Sequence, residues 1–260
     1  MRKLLISIAM LSLLPPGGFA DTAEEKGLKI AVEADRRDQG WQDSKAALQM
    51  ILRNRQGDTS ERKIRSRTLE VEGDGDKSLI IFDHPADIKN TAFLSYSHAT
   101  TPDDQWLYLP ALKRVKRIAS ANKSGPFMGS EFAYEDISSP EVDKYGYKWL
   151  RDETIDGQEA FVLERIPRYE HSGYTRQEAW LDKEHYRVLK VDYYDRKGAL
   201  LKTRVASEFK RYLNQYWRAH RMDMENHLTG KSTTLVWSDF ELRNGFSERD
   251  FDRNSLKRAR

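Results

Sequence analysis

The sequence predicts a mainly β protein, a barrel or sandwich rather than a set of βαβ units. Short runs with period-two alternation recur along the chain, with no long helical pattern between them. Turn signals punctuate them, most clearly Asp156-Gly157, Lys197-Gly198 and Thr229-Gly230. Hydrophobic residues make up 38% and charged residues 33% of the chain, which suits a sheet with a solvated face better than a doubly covered α/β sheet.

The first residues read as a secretory leader. Arg2 and Lys3 form a charged start, residues 4–14 an apolar middle, and Gly18-Phe19-Ala20 a small-residue cleavage site. The apolar stretch is shorter than the about 20 residues a spanning helix needs, which disfavours a retained anchor. Residues 1–20 are therefore expected to be removed, leaving residues 21–260 as one domain, a size all-β barrels commonly reach. There is no cysteine, so the chain is not itself a lipoprotein and has no disulfide or thiol chemistry.

Residues 22–37 predict a helix, with Ala23, Gly27, Ile30, Ala31 and Ala34 as a weak apolar stripe. Gly40-Trp41 ends it. Residues 44–54 contain good helix formers, but Gln56-Gly57-Asp58 reads as a hairpin turn, which favours a strand pairing with residues 62–72. After the turn 73–76, strands are expected over 78–83, 91–97, 105–109, 114–118, 147–154, 160–166, 176–182, 187–194, 200–212, 216–225 and 232–242. Trp106 and Tyr108 alternate with Leu107 and Leu109, so both faces of that strand are at least partly covered. Pro110 stops it, having no N–H for the ladder. A short helix is expected across the sheet within 127–135, and a helix or turn in the tail over 247–256.

The words DDQWLYLP, LKRVKRI, FMGSEF and YED follow one another between Asp103 and Asp136. In this order and spacing they resemble the outer-membrane lipoprotein-sorting protein family, the LolA-like periplasmic carriers. ADRRDQGW (34–41), RNRQGD (53–58), EGDGDKSLIIFDHPADIKNTAFL (72–94) and WSDFEL (237–242) extend the likeness over nearly the whole mature chain. Asn90 stands where a glycine is expected; asparagine tolerates a left-handed backbone, so the turn should survive. The resemblance implies a strongly curved, incompletely closed antiparallel β-barrel, with an N-terminal helix and short helices on its concave side. It also implies a hollow that shelters acyl chains between the membranes.

Composition and motifs exclude several alternatives. Arg2 and Lys3 lie in the leader, and the other basic residues nearly balance the 41 Asp and Glu, which argues against a general nucleic-acid binder. The six histidines show no metal-binding spacing, and no GxSxG elbow or glycine-rich phosphate loop occurs. Asp103-Asp104 and Glu135-Asp136 are adjacent residues that point apart on a strand, so turn and cap roles fit them better than acid–base work. No catalytic residue, metal site or cofactor is expected, and the chain reads as a non-enzyme.

Binding is expected instead. Leu48, Met50, Leu52, Phe93, Trp106, Tyr108, Phe127, Met128, Phe132 and Trp149 are the candidates for an apolar hollow and its lid, with 127–132 as the lid. Ordinary core packing is the competing use of each. Met50, Met128, Met222 and Met224 suit an adaptable surface. Lys113, Arg114, Lys116 and Arg117 would meet a lipid headgroup or an acidic partner, or simply form a solvated strand face. The leading expectation is a periplasmic carrier moving a lipid or lipidated protein from the inner toward the outer membrane. It would act as a monomer, take cargo from an inner-membrane transporter and touch membranes transiently. The alternative is a non-catalytic accessory subunit of an inner-membrane exporter.

Overall fold

A computed structural model describes residues 21–258; the leader expectation lies outside the described residues. The chain enters through α1 (Ala23–Arg37), whose start is fixed by a capping box. Glu25 N–H donates to Thr22 Oγ1 at 3.1 Å and Thr22 N–H to Glu25 Oε2 at 2.9 Å. Thirteen strands follow among the described residues. They are β1 (Asp43–Arg53), β2 (Thr59–Leu69), β3 (Lys77–His84), β4 (Ala92–Tyr96), β5 (Asp104–Leu109), β6 (Arg114–Ile118) and β7 (Tyr145–Ile155). The rest are β8 (Gln158–Pro167), β9 (Arg176–Asp182), β10 (Val188–Tyr194), β11 (Leu200–Tyr212), β12 (Tyr216–Asn226) and β13 (Lys231–Leu242), before a short α2 (Arg253–Arg258).

All thirteen lie in one antiparallel sheet, ordered β6-β5-β4-β3-β2-β1-β13-β12-β11-β10-β9-β8-β7. Each half is a meander of hairpins, which short turns allow. The single pairing between strands distant in sequence joins β1 to β13 at the centre, with Met50 opposite Leu235. β6 and β7 are consecutive in the chain yet form the two free edges, so the curved barrel is not closed. Residues 119–144 cross between those edges. The run 44–53 is a strand, as the Gln56-Gly57-Asp58 turn required; Gly57 adopts φ +95° there. Asn90 holds φ 63°, so the turn before β4 keeps the left-handed geometry expected of it.

Two details differ from the sequence reading. β2 begins at Thr59 and ends at Leu69 because its register with β1 pairs Arg53 with Thr59 and Asp43 with Leu69. The expected helix within 127–135 is instead two single 3₁₀ turns, Phe127–Gly129 and Tyr134–Asp136. Met128 at φ 51° and Gly129 at φ 78° break any helical continuation.

Apolar side chains fall on both faces of the sheet. The concave face holds the main core, including Ile30, Met50, Phe82, Phe93, Leu163, Val191 and Met224. A second core lies on the opposite face of β3–β5, where Leu79, Ile81, Ala92 and Leu94 pack under Phe251 and Leu256 of the tail. This explains why the LIIF run of β3 is buried at every position: here the sheet is covered twice, and the outer face of β8–β9 is likewise buried at Ala160, Val162 and Trp180.

α1 packs on β7 of the concave side, and Gly27 sets the distance. A Cβ added there would lie 2.7 Å from the Trp149 nitrogen and 2.8 Å from the Lys148 carbonyl carbon. Gly27→Ala should therefore destabilise the protein by roughly 1–3 kcal/mol in urea unfolding, although alanine alone favours a helix by about 1 kcal/mol. A gain in stability would show that α1 is not docked this closely.

Candidate functional site

The concave side has a large opening at one end of the sheet, near the start of β1. Its cavity measures about 1540 Å³. One wall is the C-terminal half of α1 and the segment to Trp41; the other is the concave face of β7–β12, including Tyr147, Leu163, Leu181, Ala206 and Met222. Phe209 and Trp217 extend the apolar wall. This hollow follows from the open edges: seven strands curve away from six, and α1 covers only part of the gap.

The rim on the α1 and β2 side is acidic, with Asp35, Asp38, Glu70, Asp74, Asp76 and Glu141 all lining the cavity. Burial first, and then the charges of Glu141, Glu70 and Asp38, push the Asp76 carboxyl up to about 7. A carboxyl raised in the folded state binds its proton more tightly than in the unfolded chain. Its contribution to stability is thus greatest below the ordinary aspartate range and is lost as pH rises through about 7. Asp76→Asn should match the wild type near pH 4 and exceed it by roughly 1–3 kcal/mol at pH 8. Melting curves of both proteins across that range test this; a difference independent of pH would mean that Asp76 does not titrate there.

The other end is stopped by the crossing segment 119–144. Phe127 is 1% exposed, its ring 5.1 Å from Phe93, 5.4 Å from Tyr134 and 6.0 Å from Phe82. Polar bonds fasten the segment around it. Arg62 of β2 donates to the Met128 carbonyl, and Glu131 N–H donates to Thr233 Oγ1 of β13 at 3.0 Å. Lys202 of β11 donates to the Glu131 carbonyl at 2.8 Å and pairs with Asp136 at 2.7 Å. Glu135 accepts from Gly173 N–H, Ser172 and Tyr169 in the loop after β8. Burial, with neighbouring Asp136, raises the Glu135 carboxyl above its ordinary range. Gln105 of β5 donates to the Tyr134 carbonyl and to Ser138. The segment is thus a plug bonded to both halves of the sheet at the place where the sequence reading expects a lid over 127–132.

None of the ten expected lining residues borders the large cavity. Leu48, Met50, Phe93, Phe127 and Phe132 are buried in the concave core, and Leu52, Met128 and Trp149 pack against it. Leu52 also borders a small polar pocket of about 260 Å³ at the far end of β1. Trp149 lies beneath α1, with the Lys26 ammonium 3.3 Å from its ring centre. Trp106 and Tyr108 are on the wrong face: they pack with Val115 and Phe246 under the C-terminal tail. The expected lining residues thus lie in packed core or on the outer face, apart from the large cavity. Met222 alone among the four adaptable methionines lines the cavity.

The basic strand is β6, an exposed sheet edge whose charges discourage edge-to-edge pairing. Its four cations do not form one patch. Arg117 stands opposite Trp106 and Lys116 opposite Leu107, so they occupy opposite faces; Arg117 also pairs with Asp104. Lys113 precedes the strand at φ 50°, and Arg114 follows Lys116 onto the concave side.

The adjacent carboxylates diverge as expected. Asp103 pairs with Lys144 at 2.8 Å, whereas Asp104 meets Arg117. Asp136 accepts from Ala133 N–H at 2.7 Å. His220 is bonded to Tyr212 Oη and the Trp237 carbonyl, and no metal-binding group of His, Cys, Asp or Glu occurs among the described residues. No described helix is long and apolar enough to cross a membrane. The residues missed from the sequence were the inward positions of β8 and β11, Leu163 and Arg165, then Arg204 and Ala206. Their two-residue spacing was visible, but it does not say which face is concave.

An outer membrane lipoprotein-sorting protein domain from Vibrio parahaemolyticus is 61% identical in sequence, with a TM-score of 0.89 over 90% of this chain and 99% of that one. The chain belongs to the outer-membrane lipoprotein-sorting protein family. A family model described as an uncharacterized protein matches residues 74–258. A DUF1329 family protein from Desulfovibrio piger is 32% identical, with a TM-score of 0.85 over 91% of this chain and all of that one. A LolA superfamily protein from Nitrosomonas europaea, 22% identical with a TM-score of 0.71 over 91% of this chain and 100% of that one, shares the fold. No curated protein matches. In this lipoprotein-sorting family member the large opening and the plugged end together define the candidate site.

Proposed function

We infer that the protein is a non-enzymatic periplasmic carrier that shelters acyl chains in its concave hollow. It would move a lipid or lipidated protein from an inner-membrane transporter toward the outer membrane, after losing its leader near Asp21. The observation that carries this reading is the cavity of about 1540 Å³, larger than the about 300–1,000 Å³ of ordinary small-molecule pockets. Membership of a family with a lipoprotein-sorting relative supports the cargo class. Each methylene taken from water contributes about 0.8 kcal/mol, so a long chain supplies affinity without precise polar contacts. The plug and α1 then serve as fixed walls, and entry is through the open end beside Trp41.

Two measurements test the reading. Protein recovered from the periplasm should release close to one equivalent of acyl lipid on denaturation, read by mass spectrometry. Ala206→Trp, which projects a ring into the hollow from β11, should cut uptake of a fluorescent fatty-acid probe by about tenfold or more while the protein stays folded; each methylene displaced from the site forfeits its transfer energy. Absence of bound lipid together with no probe uptake by the wild type would overturn the carrier reading.

A further inference from the structure

Across the concave face of β7–β11 runs a row of polar residues within the apolar wall. Tyr147 faces Arg165, Arg165 faces Gln177, Gln177 faces Tyr193, and Tyr193 faces Lys202. The neighbouring row sets Val191 opposite Arg204 and Arg204 opposite Met224. Arg165 and Arg204 therefore project from the same face as the core residues Leu163 and Val191, and both line the large cavity.

Their charges are unusual in this hollow. Arg36 and Arg37 pair with Glu33, Arg187 with Asp182, and Arg218 with Asp38. Lys202 is neutralised by Asp136. Arg211 lines the cavity too, but it is exposed. Arg165 and Arg204 are only partly exposed, yet neither pairs with a carboxylate among the described residues, and their Nε atoms are buried without a hydrogen-bond partner. Arg165 has the Tyr145 ring at 5.6 Å as partial compensation. Both cations act on one buried phenol, Tyr193: burial raises its pKa, Arg204 lowers it, Asp136, which Lys202 pairs, raises it, and Arg165 lowers it. A buried guanidinium Nε left without an acceptor is costly in the empty protein. An oxyanion brought in by cargo would remove that cost, through short, charge-assisted hydrogen bonds to the fork of donors.

We propose that Arg165 and Arg204 form a headgroup site, and that the cargo is an anionic amphiphile whose carboxylate or phosphate binds between them while its chain lies along Leu163, Ala206 and Met222. The proposal rests on the carrier reading and narrows it to charged cargo. The acidic rim on α1 and β2 lies across the cavity and would hold the anion to the β8–β11 wall.

The test compares amphiphiles of one chain length on the mature protein by competition with a fluorescent fatty-acid probe. Oleate and a lysophosphatidic acid carry the oxyanion, and oleyl alcohol lacks it. At least one of the anions should bind about tenfold or more tighter than the alcohol, the ratio expected for a hydrogen bond to a charged group; which anion wins identifies the headgroup. In Arg165→Met/Arg204→Met that preference should vanish while alcohol binding persists, and thermal stability should hold, since an unpaired charge has been removed. Arg165→Lys/Arg204→Lys should retain part of the preference. Equal binding of alcohol and anions to the wild type overturns the headgroup site and leaves the carrier reading intact. A preference that survives in the Met variant also overturns it. Failure of all three amphiphiles to bind defeats the carrier reading and this one with it. The wild-type comparison decides the matter even if the double variant does not fold.

Discussion

Phe127→Asp is expected to unfold the protein at ambient temperature or leave it marginal. The ring is buried among Phe82, Phe93 and Tyr134, and no cation faces it within that aromatic group. A carboxylate there loses its hydration without a partner, a cost of several kcal/mol. Phe127→Ala isolates the packing part of the effect and should cost about 3–5 kcal/mol. Urea unfolding followed by tryptophan fluorescence measures both. If either variant falls within about 1 kcal/mol of the wild type, an ordinary surface-mutation effect, the segment is a loosely held lid. Because the plug is also bonded to β2, β11 and β13, its loosening should expose backbone amides in 123–136 to hydrogen exchange.

Lys202→Met should be nearly as damaging. The Lys202 and Asp136 side chains are 5% and 4% exposed, their charges 2.7 Å apart. Methionine fits the volume but leaves the Asp136 carboxylate buried with only Tyr174 Oη and the Ala133 N–H as donors. Breaking one partner of such a pair costs about 3–5 kcal/mol. Adding Asp136→Asn to Lys202→Met should restore part of the loss, giving a clearly non-additive double-mutant cycle. Additive effects would mean that the two side chains do not interact across the plug. The pair matters because it joins a segment between the free edges to the start of β11, a contact no local sequence signal can specify.

The pattern of legibility follows the range of the forces involved. The capped helix at 23–37, the strand at 43–53 and the long hairpin arms of β11 to β13 rest on nearest-neighbour chemistry. An N-cap threonine, a glycine turn and period-two alternation act within a few residues, so they are written where they act. The resemblance words supplied the rest of the architecture. Phe127 and Met128 misled because an apolar cluster looks the same in sequence whether it fills a core or lines a void. Trp106 and Tyr108 misled because alternation marks two faces without naming the concave one.

By itself the sequence marked out the first helix and most of the strands, and its resemblance to a family implied the open antiparallel barrel. Turn chemistry and hydrophobic period are local, and they leave few alternatives for a chain of hairpins. Only the tertiary structure decided where the free volume lies. Curvature places β8 and β11 opposite α1, the plug fills the end that looked most like a binding site, and the tail covers the outer face of β3–β5. A cavity is the space that packing leaves unfilled, so it depends on every surrounding element at once and has no sequence position of its own.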